Sequence, residues 1–245
     1  MKKLGWIRDS KDSRDFRYQA KGLKSFPAKS DMRSRYPRPW NQGDLGSCTA
    51  QAVGAAALFT DIYDRDATIT APSRLWIYYK TRELEGTTAE DSGAMIRNAM
   101  KVVVNYGYPV EDSWPYNVKD FATKPPEELS KPALREQVTR YEQVARDLNE
   151  FKEVLSEGYP IVLGFSVFPS IYNAEVSKTG VIPLPQKGET REGGHAILVC
   201  GYDDEKEALI IRNSWGENWG DGGYGYLPYG YITDKKLSAN FWTVK

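Results

Sequence analysis

Cysteine and histidine are scarce in this chain: its 245 residues include two of the first, Cys48 and Cys200, and one of the second, His195. Three such side chains cannot complete the usual four-ligand zinc site, so neither a metal nor any other cofactor is expected. A disulfide-poor chain of this length can bury a core without covalent staples, which fits a reducing compartment and points to the cytoplasm. An excess of charge is also missing, because Lys plus Arg and Asp plus Glu both total 33. No overall field would then draw the protein to nucleic acid or to an anionic membrane, and the expected partner is uncharged or mixed. No stretch approaches the roughly 18 apolar residues of a membrane span. The longest candidates, near Ala50 to Phe59 and Ile161 to Phe168, fall short. The N-terminus turns polar after Leu4, Trp6 and Ile7, so it lacks the apolar run of a secretory leader. A soluble protein is therefore expected, and a monomer; no internal repeat and no low-complexity tract is found.

What is present falls into two halves behind an extension. Residues 1–25 are dense in charge, carry scattered aromatics (Trp6, Phe16, Tyr18) and hold no sustained period, so they read as an extension ahead of one domain over residues 26–245. Pro27, Pro37 and Pro39 punctuate an extended approach, and NQGDLGS follows as a glycine-containing loop with Ser47 in the position of a helix cap. From Cys48 to about Tyr63 alanine dominates and apolar residues fall on nearly every face, the mark of a helix buried all round. Helical spacing returns over about Ser73 to Leu84 and Gly93 to Tyr106. Between Asn117 and Pro132 lysine, proline and glutamate predict a surface crossover. Beyond it VTRYEQV, PIVLGFSVF, HAILVCGYD, ALIIRNSW and GYGYLPYGYI read as strands, with one helical pattern at Leu148 to Ser156. The expected class is α+β, helical over about residues 40–116 and β-rich over about 117–235.

The chemistry centres on Cys48. A thiol is a useful nucleophile near neutrality only as thiolate, which needs a nearby cation, a helix N-terminus, or both. Cys48 opens the central helix, where unpaired backbone N–H groups and the macrodipole favour negative charge. An ordinary buried cysteine on an alanine-rich helix is the alternative; the context argues against it. Gln42, six residues upstream, can help the Cys48 N–H bind a tetrahedral oxyanion, and Gly43 and Gly46 let that loop approach a substrate. His195 follows Gly193 and Gly194 at the start of a strand, and the Asn213 amide further on can accept an imidazole N–H and fix the ring, with Trp215 shielding that bond. Cys200, inside an apolar strand run, reads as a structural thiol.

The blocks QGDLGSC, GGHAILVCGYD and NSWGENWGDGGYGYL, in that order, resemble the three active-site blocks of papain-family cysteine peptidases. The resemblance covers about Pro27 to Ile232, and DSGAMIRNAMKVVVNYGYPVEDSWPY is similar to the stretch that lines the family's cleft. It implies a two-lobed fold, a helical lobe with Cys48 and a β-barrel-like lobe with His195 and Asn213, and the cleft between them. It implies a cysteine endopeptidase acting on protein or peptide substrates through a Cys48 thiolate, a His195 imidazolium and a thioester acyl-enzyme. Gly93 would bond an extended peptide through its backbone. Met95, Gly164 and Ala196 would border an apolar pocket for the second residue before the cut, with Gly194 and Trp215 also on the substrate side.

The pattern departs from much of the family at three places. Leu45 stands where a disulfide cysteine is common, Thr49 where tryptophan often follows the nucleophile, and Gly194 where papain has aspartate. None touches the Cys, His and Asn chemistry. Two other readings use the same residues: a catalytically silent peptide-binding module, and acyl transfer to an amine. The family habit of covering the cleft with an N-terminal segment makes residues 1–25 a candidate intramolecular inhibitor, the alternative being a strap packed elsewhere.

Overall fold

The computed structural model describes residues 3–23, 25–65, 70–136 and 138–245, with the backbone alone for 61–65. Met1, Lys2 and Lys24 of the expected extension lie outside the described residues. Strand β1 (Trp6–Ile7) and strand β2 (Lys29–Asp31) precede the central helix α1 (Cys48–Arg65). Alanines at positions 50, 52, 55, 56 and 57, with Val53, Leu58 and Phe59, are all buried, as the run of small and apolar side chains predicts. Truncating Leu58 or Phe59 there would cost about 2 to 5 kcal/mol.

Helix α2 (Arg74–Glu85) starts one residue after the expected Ser73, because the Ser73 hydroxyl accepts the Trp76 N–H as an N-cap. It ends at Gly86, whose φ of 72° suits a left-handed C-cap. The next helix departs from its expected start at Gly93: Ala94–Met95 form strand β3, and α3 (Ile96–Asn105) begins only afterwards. The cause is distant in sequence. Strand β1 pairs in parallel with β3, Trp6 opposite Ala94 and Ile7 opposite Met95, and holds that backbone extended.

Past a short helix α4 (Ser130–Ala133) the chain enters the sheet: β4 (Tyr141–Gln143), helix α5 (Leu148–Ser156) capped by Asp147, β5 (Ile161–Val167), a short α6 (Ala174–Thr179), β6 (Gly193–Asp203), β7 (Ala208–Arg212) and β8 (Tyr224–Pro228). YGYI, read as a strand continuation, instead turns into α7 (Gly230–Thr233), and β9 (Ser238–Val244) follows, beyond the expected limit of 235. The order is β4-β9-β5-β6-β7-β8, with β2 on the far end of β6. This sheet stays open among the described residues, where a barrel-like lobe was expected. Its outer edges are taken by other backbone: residues 180–182 bond Tyr226 in β8, and Arg17 bridges to Gln143 in β4.

The N-terminal segment thus runs across both halves. Behind β1, the Asp9 N–H donates to Asn240 Oδ1 on β9, and the Asp9 carboxylate accepts from Trp242 Nε1 at 2.9 Å and the Arg97 N–H at 3.2 Å. Asp15 forms an ion pair with Arg97 at 2.7 Å, both side chains nearly out of solvent. Further on, the buried Glu153 of α5 accepts the Lys21 and Leu23 N–H groups and the Tyr18 hydroxyl.

Candidate active site

Cys48 lies at the first turn of α1, fully buried. The preceding loop is pinned from the helical side. Gly46 N–H donates to both Asp91 carboxylate oxygens at 3.0 and 3.1 Å, and the Thr49 hydroxyl donates to the Ala94 carbonyl at 3.0 Å. Ser47, expected as a cap, bonds the Tyr116 hydroxyl through its side chain. The Cys48 Sγ accepts the Ala196 N–H at 3.4 Å. Burial pushes the thiol pKa up to about 11, against the pull of the Ala196, Gly5 and Thr49 backbone N–H groups.

His195 comes from β6, paired opposite Phe165 of β5. Its Nε2 lies 2.8 Å from Asn213 Oδ1, and the same oxygen accepts the Ser214 N–H at 2.8 Å. That oxygen can only accept, so Nε2 carries the proton and Nδ1 presents a lone pair. Nδ1 is buried and has no hydrogen-bond partner among the described residues. Trp215 stacks on the imidazole with centroids 4.8 Å apart, and Phe165 meets it edge-on at 5.8 Å. Burial lowers the His195 pKa to about 4, only partly countered by the Asn213 bond. Burial thus disfavours the charged form of each group in this closed arrangement, against the thiolate and imidazolium implied by the resemblance.

Gln42 reaches the same place from the loop before α1. Its Oε1 accepts the Ser214 hydroxyl at 2.6 Å, and its Nε2 donates to the Leu45 carbonyl at 2.8 Å and the Lys3 carbonyl at 3.1 Å. The Gln42 amide, expected as an oxyanion donor, thus faces a carbonyl of the protein's own N-terminal segment. The Gly5 carbonyl accepts the Ala94 N–H at 2.8 Å. A carbon added at Gly93 would lie 2.2 Å from that carbonyl oxygen, and Gly93 itself has a φ of 78°. Trp6 covers Gly164 and Gly194. Ala196 lies opposite Gly164 across β5 and β6, and Met95 opposite Ile7.

Residues 26–239 match the family described as papain family cysteine protease. The chain belongs to that family. Its likeness to xylellain, a cysteine protease from Xylella fastidiosa, extends over 100% of this chain and 96% of that one, at 40% identity and a TM-score of 0.94. An uncharacterized peptidase C1-like protein of Acanthamoeba polyphaga mimivirus is 34% identical over 99% of this chain and 86% of its own length. Digestive procathepsin L 3 of Tenebrio molitor larval midgut shares the papain-like fold, with a TM-score of 0.73 at 19% identity over 94% of this chain and 74% of that one. Cysteine peptidase activity goes with this membership, as does an α+β, papain-like fold. Both cysteines are free, and no helix among the described residues is long and apolar enough to cross a membrane.

Sequence reading offered residues 1–25 as a candidate cover but did not identify which of them reach the site. Lys3, Gly5 and Trp6 meet Gln42, Cys48 and Gly164, and none of them carries a catalytic motif. One signal was available: Leu4, Trp6 and Ile7 are the apolar cluster of an otherwise charged stretch, and they flank the glycine that fits between Gly46 and Gly93.

Proposed function

We propose that this papain-family protein is an endopeptidase using Cys48 as nucleophile, His195 as proton carrier and Asn213 as the group that orients the ring. The observation that carries this reading is the 2.8 Å bond from His195 Nε2 to Asn213 Oδ1, which leaves Nδ1 bare on the residue next to the amide that contacts Sγ. When the N-terminal segment leaves and water enters, the desolvation that disfavours both charged forms is relieved. The Cys48 proton moves to Nδ1, and the α1 N-terminus favours the thiolate. Sγ then attacks the peptide carbonyl carbon, and the oxyanion is held by Gln42 Nε2 and the Cys48 N–H. Nδ1–H protonates the leaving amine as the C–N bond breaks, giving a thioester. Nδ1 next takes a proton from water, whose oxygen displaces Sγ and releases the acid.

The N-terminal segment acts here as an intramolecular inhibitor. It presents the N–H group of Gly5 to the thiol, so the site holds the protein's own backbone where a substrate would lie. A carbon added at Gly5 would sit 1.8 Å from the Gly46 carbonyl oxygen, so Gly5→Ala cannot seat as wild type does. Hydrolysis of an unstructured protein should be faster with full-length Gly5→Ala than with wild type, and absent with Gly5→Ala/Cys48→Ala. Turnover by the double variant removes Cys48 as nucleophile. A silent peptide-binding module would give no turnover in any of the three, and equal rates for the first two would remove the inhibitor.

A further inference from the structure

The loop from Gln42 to Cys48 has to bring two donors, the Gln42 amide and the Cys48 N–H, onto one oxygen. Its middle has no covalent anchor, since Leu45 stands where a disulfide cysteine is common and both cysteines of this chain are free. A carboxylate fastens it instead. The Gly46 N–H lies 3.0 and 3.1 Å from the two oxygens of Asp91. Glycine permits that approach, because a carbon added at Gly46 would stand 3.0 Å from Asp91 Oδ1. The Tyr78 hydroxyl donates to the same Oδ1 at 2.6 Å and accepts the Gly93 N–H at 3.1 Å. Asp91 therefore joins the nucleophile's loop to the opposite strip of the cleft. Its own turn is held from below by Arg82, which is fully buried and donates through Nη1 to the Thr88 and Glu90 carbonyls at 2.8 Å each and through Nη2 to the Phe121 carbonyl.

We propose that Asp91 is a positioning residue for hydrolysis, its carboxylate holding Gly46 so that Gln42 and the Cys48 N–H converge on the oxyanion, in place of a covalent tie at the neighbouring position 45. The inference rests on the peptidase reading above and deepens it. Asp91 touches neither the thiol nor the ring, and acts only through the loop. A hydrogen bond to an ionised acceptor is about twice as strong as a neutral one, which suits a single carboxylate to this task. The contact of Asp91 Oδ2 with Lys3 Nζ, at 3.3 Å, belongs to the covered form and goes when the N-terminal segment leaves. The bonds to Gly46 and Tyr78 lie within the domain and stay.

The test adds Asp91→Ala or Asp91→Asn to full-length Gly5→Ala and compares peptide hydrolysis with alkylation of Cys48 by iodoacetamide. Alkylation joins Sγ to a saturated carbon and expels iodide, so it forms no oxyanion and does not need the loop's donors. Asp91→Ala should lower kcat by about 100-fold with a smaller change in KM, the scale of a misplaced oxyanion donor. Its alkylation rate should stay within about threefold of the Gly5→Ala rate from pH 5 to 9. Asparagine keeps an acceptor oxygen for Gly46 and Tyr78, so Asp91→Asn should lose less than about tenfold in kcat. An unchanged kcat in Asp91→Ala, or hydrolysis and alkylation falling together, would overturn the proposal. If Asp91→Ala does not fold, Tyr78→Phe removes one donor to the carboxylate. It should lower kcat by about three- to tenfold at unchanged alkylation, and an unmoved kcat would overturn the proposal equally. If Gly5→Ala itself hydrolyses nothing, the peptidase reading fails alone and hydrogen exchange over residues 42–48 decides. Faster exchange in Asp91→Ala than in Asp91→Asn keeps the anchoring role, and equal exchange removes it.

Discussion

Asn213 Oδ1 accepts two hydrogens, one from the ring and one from the Ser214 backbone, and the second bond fixes the amide so that the first can hold the imidazole. Removing it leaves His195 with Trp215 stacking and Phe165 edge contact, which restrict tilt but do not choose the tautomer. In an activated background such as Gly5→Ala, Asn213→Ala should lower kcat by about 10- to 100-fold with a smaller change in KM. Steady-state kinetics on one peptide checks this; an unchanged kcat would remove the orienting role. Gln42 differs, because its amide already meets a carbonyl oxygen in the closed form and needs no rearrangement to meet another.

At the scale of elements, the segment that covers the cleft is a poor strand by itself. Strand β1 has two residues, and its hold comes from ties further along, chiefly the buried Asp15–Arg97 pair. Removing one partner of such a pair strands the other charge and costs roughly 3 to 5 kcal/mol. Asp15→Asn should therefore raise hydrolysis and quicken iodoacetamide labelling of Cys48, by about a hundredfold or more where closure limits both. Equal labelling of variant and wild type would detach the pair from closure. The same contrast explains what was legible beforehand. The runs that became α1, α2, α5 and most strands carry their periodicity locally, and the two blocks with His195 and Asn213 could be read one after the other. Strand β3 could not, since Ala94 and Met95 are extended only because Trp6 and Ile7 lie beside them. Strand β9 was hidden by Asn240, at a φ of 60°, which breaks the alternation of SANFWTV. The seat of Trp6 depends on two glycines of the distant β5 and β6, which no local pattern ties to it.

For the molecule as a whole, two buried groups respond to acid in opposite senses. Burial raises the Asp9 pKa from 3.8 to about 6, against bonds from Trp242 and Arg97, so the stability it contributes is full below 3.8 and lost as pH rises through about 6. Burial lowers that of His195 from 6.5 to about 4, so its contribution is full above 6.5 and lost as pH falls through about 4. The two slopes oppose each other across the same range, and wild type conceals both. Asp9→Asn uncovers the second: between pH 4 and 7 the stability difference should move in the variant's favour by on the order of 2 kcal/mol. Paired denaturant titrations at the two pH values check this, and a difference independent of pH would contradict it.

The contacts of Asp9 with Asn240 and Trp242 also impose a timetable. The covering segment is made more than 230 residues ahead of Asn240 and Trp242, two of the groups that tie it down, and β9, which carries them, must itself insert between β4 and β5. These ties of the lid to the sheet therefore form only once β9 is in place, later than those to Arg97 and β3 can form.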